Sequence, residues 1–151
     1  MYFAQCIDST TLATLGSIGT NIADRIERVS AMDAYLLNFC VNDRNPKVRY
    51  YASDMQLCSH TDASYLYVSK ARSRTTAYFY LSNDDGALLP PDHASKLPER
   101  LNSAVHVMST VMRQVLSSAT EAEVGATFYS CQDAVPLRNT FTTLDMFREQ
   151  P

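Results

Sequence analysis

From Asp24 to Phe39 the apolar residues Ile26, Val29, Met32, Leu36 and Phe39 recur at steps of three and four. That spacing places them on one face of an α-helix. Asn42-Asp43-Arg44-Asn45-Pro46 ends the helix, since proline lacks the amide that would continue the ladder. Ahead of it, Tyr2–Ile7 is short and apolar. Asp8, Ser9 and Thr10 then offer capping chemistry for a helix over Thr11–Leu15, a pattern that Gly16 and Gly19 break.

Further along, the period changes from that of a helix to that of extended chain. Lys47–Tyr51 predicts an extended segment with a bend at Ala52-Ser53-Asp54. Met55–Thr61 predicts a central strand, with Met55 and Leu57 on one face, Cys58 on the other, and Asp62 at its end. Thr75–Leu81, rich in Thr, Tyr and Phe, predicts a second strand. Turn residues and Pro90, Pro91 and Pro98 make Asn83–Leu101 a long acidic loop, and Val105–Leu116 predicts the antiparallel partner, bent around Ser109-Thr110.

A long helix follows. Ser118 with Glu121 and Thr120 with Glu123 both have the spacing of three that a capping box requires. If Ser118 is the cap, Glu123 is free to face the sheet; if Thr120 is the cap, Glu123 is committed to the backbone. Ala126, Ser130 and Ala134 share a small-residue face with Glu123, which favours the first choice and lets the helix lie close to a sheet. Val124, Phe128, Cys131 and Val135 form the adjoining apolar stripe, and Pro136 predicts a kink or restart.

Charge and composition narrow the picture. With 46% hydrophobic and 19% charged residues over 151 positions, the chain describes one folded domain, or one with an appendage. No apolar run reaches membrane length and no basic-then-apolar leader opens the chain, so the expected setting is intracellular and cytoplasmic, with no membrane partner. Cys6, Cys40, Cys58 and Cys131 are widely spaced and read as buried thiols in a reducing compartment; His60, His93 and His106 lack a helical metal-ligand spacing. A formal net charge of −3 gives no global attraction to nucleic acid, so such binding must rest on a local patch. Lys70, Arg72 and Arg74 alternate and, in extended chain, would line one face against phosphates; the competing reading is a solvated strand edge. A carboxylate ending a buried strand, as Asp62 would, needs a partner or a cation. Its plainer reading is a turn-forming Asp bonded to the backbone that follows.

Four stretches in order carry a resemblance: His60-Thr61-Asp62-Ala63-Ser64-Tyr65, Lys70-Ala71-Arg72-Ser73-Arg74, the extended run Ala77–Leu81, and Ser118–Ala126. Together they resemble the ribonuclease H region of copia-type LTR retrotransposon polyproteins, over roughly Tyr50 to Met146. Tyr2–Cys40 looks like the connection leading out of the reverse transcriptase in the same polyproteins. The resemblance implies catalytic and metal-binding roles for Asp62 and Glu123, with Mg²⁺ as cofactor. It implies two-metal hydrolysis of RNA in RNA–DNA hybrids, with Lys70, Arg72 and Arg74 positioning the duplex. The family needs a further Asp on a later strand that falls beyond Pro151, so the expectation is a C-terminally truncated domain with impaired nuclease activity.

The expected architecture is therefore α/β: a helical connection over 1–49, then the N-terminal half of a ribonuclease H-like domain over 50–151, with three antiparallel strands and one long helix. RNA–DNA hybrid and the reverse transcriptase part of the same polyprotein are the expected partners. The alternative from another class is a non-catalytic retroelement remnant or an interaction domain.

Overall fold

A computed structural model describes residues 2–21, 26–68, 71–83 and 102–148. The architecture is α/β: a three-stranded antiparallel sheet in the order β1-β2-β3, with helices on both faces. β1 is Gln56–Val68, β2 is Arg72–Ser82 and β3 is His106–Val111. Helices α1 (Tyr2–Cys6), α2 (Leu12–Asn21) and α3 (Ile26–Asn42) precede the sheet, and α4 (Ala119–Arg148) follows it. Among the described residues no helix is long and apolar enough to cross a membrane.

Antiparallel partners project to the same face, so the register assigns every strand residue a side. Phe79 pairs with His106 and Ala77 with Met108. His106 reaches Asp133 of α4 at 3.2 Å, and Met112 packs beside Gly125 of α4. Ser73, Thr75, Ala77 and Phe79 therefore face α4, where they are buried with Ala122, Ala126 and Ser130. The helix lies close because those three residues are small. Arg74, Thr76 and Tyr78 face the other way, toward the N-terminal helices. There Val107, the partner of Tyr78, clusters with Ala4 and Leu12, and Leu15 packs against them.

Several expectations need correcting. The strand through Asp62 does not stop there. It runs on to Val68 through a register shift between Ser64 and Val68, where Leu66 takes a left-handed φ of 52°. α2 passes through both glycines instead of breaking, with Asp8 capping the 3-10 turn Ser9–Thr11 that leads into it. Gly16 lies against the end of the Arg74 side chain: a Cβ there would sit 2.8 Å from Nη1, and the guanidinium would have to shift to admit it. β3 is shorter than Val105–Leu116, and α4 continues through Pro136. The thiols are not buried as a set: Cys6, Cys40 and Cys131 are exposed. The acidic loop expected over Asn83–Leu101 lies, apart from Asn83, outside the described residues, as do Lys70 and His93.

Candidate functional site

The start of α4 resolves the capping alternatives. The Ser118 hydroxyl accepts from the Glu121 amide at 3.1 Å, while the Glu121 carboxylate accepts from the amide and hydroxyl of Ser117, each at 2.7 Å. Those bonds favour the ionised form and hold the Glu121 carboxyl below its ordinary pKa. Ser118 is thus the cap, and Glu123 is left uncommitted and exposed on the flank of the helix.

Asp62 sits mid-strand, paired with Thr76, and its exposed residue lines a cleft of about 290 Å³ between the sheet and the segment Ser9–Ala13. Since Thr76 shares its face with Tyr78 and Arg74, Asp62 projects on the side of the N-terminal helices. Glu123 rides on α4, which covers the opposite face. The structure does not bring the two carboxylates together, and the reason is parity. Ala63 and Thr61, the neighbours of Asp62, share the α4 face with Thr75 and Ala77. Mg²⁺ needs oxygens at about 2.0–2.1 Å in near-octahedral order, so ligands separated by a sheet do not fit a shared ion. Among the described residues, no three His, Cys, Asp or Glu side chains gather as a possible metal site.

The basic stripe divides as well. Arg72 is exposed, but Arg74 is only 7% exposed. Its guanidinium lies under α2, donating to Ser109 Oγ at 3.2 Å and Ser17 Oγ at 3.4 Å. Burial lowers its pKa, although an arginine stays charged at neutral pH. Arg74 therefore cannot reach a phosphate while α2 is in place, which corrects its assignment to a shared contact surface with Arg72.

Sequence reasoning did not find the polar ties that the fold builds. His60 stacks on Tyr80 with ring centroids 5.2 Å apart, its Nε2 3.0 Å from the Tyr80 hydroxyl. His106 and Asp133 tie β3 to α4. Asn102 donates to the Leu81 carbonyl at 2.6 Å and the Tyr51 carbonyl at 3.2 Å, fastening the chain before β1 to the end of β2. The parity of His60 and Tyr80 would have placed them on one face once the register was known; the other ties leave no local signal.

Comparison with protein-family models, curated proteins and solved structures finds no match.

Proposed function

We propose that this chain is a ribonuclease H-like domain of copia-type retrotransposon origin in which the two-metal centre is not assembled, so that it serves its polyprotein as a non-catalytic module. The origin rests on four ordered sequence stretches and on an antiparallel β1-β2-β3 meander followed by a long helix across one face. The observation that carries the loss of chemistry is the placement of Asp62 and Glu123 on opposite faces of the sheet. Two-metal hydrolysis needs carboxylates converging on both ions, and Asp62 and Glu123 do not converge. The partner suited to such a module is the reverse transcriptase part of the same polyprotein, with RNA–DNA hybrid contacted through exposed cations such as Arg72.

The test is Mg²⁺-dependent cleavage of a labelled RNA–DNA hybrid by the purified chain, beside Asp62→Asn and Glu123→Gln. The expected rate is at least ~10²-fold below that of a complete ribonuclease H domain, a barrier difference of about 2.7 kcal/mol, and neither substitution changes it. Robust cleavage abolished by Asp62→Asn would overturn the proposal.

A further inference from the structure

α4 carries on its outer side a row of residues that the rest of the chain leaves uncovered. Glu121, Val124, Phe128, Cys131, Val135 and Arg138 follow steps of three and four, the a and d positions of a coiled-coil seam. All six are exposed, Val124, Phe128 and Val135 at 66%, 59% and 60%. The helix meets the sheet through Ala122, Ala126 and Ser130, which are buried. Val124 and Phe128 each lie two residues from Ala126, roughly 200° round the helix, so the row points away from β1 and β2. Glu121 and Arg138 close the row at its two ends with opposite charge. Among the described residues Arg138 has no ion-pair partner, and the Glu121 carboxylate holds Ser117 through Oε2, leaving Oε1 for another donor.

We propose that the outer face of α4 is the interface of an antiparallel homodimer, in which a second copy of this chain lays the same row against this one. A two-fold axis crossing the helix pair at the level of Tyr129 and Ser130 sets Phe128 against Cys131 of the other copy, Val124 against Val135, and Glu121 against Arg138. The row thus matches itself, apolar to apolar in the middle and acid to base at both ends. That self-match identifies the occupant as a second copy. The parallel arrangement stacks each residue on its own counterpart, and so sets Glu121 on Glu121 and Arg138 on Arg138. α4 is already held against its sheet, so pairing orders no new helix. A seam from Glu121 to Arg138 spans about 25 Å and buries less than the ~800 Å² per partner of a standard interface, which sets Kd on the order of 10–100 µM.

Sedimentation equilibrium of the full chain, from about 1 µM to about 300 µM, reads the assembly, and the wild type passes from monomer to dimer across that range. Phe128→Glu places a carboxylate at the centre of the seam and leaves a monomer. Arg138→Glu and Glu121→Arg each weaken the dimer roughly tenfold by setting like charges together at both ends, and the double reversal returns Kd to within about threefold of the original. Because Phe128 and Arg138 are exposed in the single chain, urea midpoints of Phe128→Glu and Arg138→Glu at about 1 µM stay at the wild-type value, which separates lost pairing from lost folding. Glu121→Arg also removes the bonds to Ser117 and lowers that midpoint, a loss the double reversal retains while it regains the dimer. A chain still monomeric at about 300 µM, a dimer that persists in Phe128→Glu, or a double reversal no tighter than the single changes overturns the proposal.

Discussion

Replacing Arg74 tests whether its charge belongs to the fold or to a ligand. Its guanidinium is held by two hydroxyls and, among the described residues, by no carboxylate. Both bonds are longer than the usual 2.9–3.0 Å, so together they contribute about 1–2 kcal/mol net. Against that stands the cost of removing a cation from water, several kcal/mol for a fully buried ion and less here, where some access remains. Arg74→Met keeps the apolar stem and deletes the charge. Its predicted stability is within about 1 kcal/mol of wild type, or slightly higher. Removing the partners has the opposite effect. Ser17→Ala with Ser109→Ala leaves a charged donor under α2 without acceptors, at a cost of about 1–3 kcal/mol. Urea unfolding reads both, as a shift in midpoint at constant slope. In parallel, the salt dependence of any hybrid binding is unchanged by Arg74→Met, because a guanidinium covered by α2 displaces no phosphate counterion. Destabilisation beyond about 2 kcal/mol by Arg74→Met, or a flattened salt slope, would refute the reasoning.

Ser118→Ala removes the cap of α4 and costs about 1 kcal/mol by urea unfolding. The depressed pKa of Glu121 adds stability that is present above its unfolded value, 4.5, and lost as pH falls through the lower folded value; Glu121→Gln removes that part of the acid dependence, seen in unfolding midpoints between neutral pH and about pH 3. Thr75 is fully buried beneath α4, and among the described residues its hydroxyl has no hydrogen-bond partner. Thr75→Val, which exchanges that hydroxyl for a methyl of similar shape, stabilises the chain by about 1–2 kcal/mol in the same assay, and a loss of stability would reveal a partner for the hydroxyl.

Much of the local structure was legible in the chain. The three-and-four spacing of Val29, Met32, Leu36 and Phe39 defines α3 without help from any neighbour. The β-branched and aromatic run Thr75–Leu81 defines most of β2. The cap at Ser118 follows from hydroxyl and carboxylate three residues apart, because such bonds close within one turn. Periodicity states how many faces an element has, but not which of them will be covered. On α4 the apolar stripe Val124, Phe128 and Val135 is left 59–66% exposed, while Ala122, Ala126 and Ser130 meet the sheet. Close approach over a sheet favours small side chains, which is why the small-residue face read at Ala126 and Ser130 is the covered one; a count of hydrophobicity along the helix would have chosen the other stripe.

The two candidate ligands show the same division between local and global information. That Asp62 lies in extended chain and Glu123 near a helix start is a property of a few neighbouring residues, and both hold. Whether they meet depends on strand parity, on the register with β2, and on which helix covers each face, all set by contacts between residues far apart in sequence. A shift of one residue reverses every side chain of a strand, so the sequence by itself determined the elements and the chemistry available on them. Only the packing of α2 on one face and α4 on the other decided that Arg74 is enclosed and that Asp62 and Glu123 are kept apart.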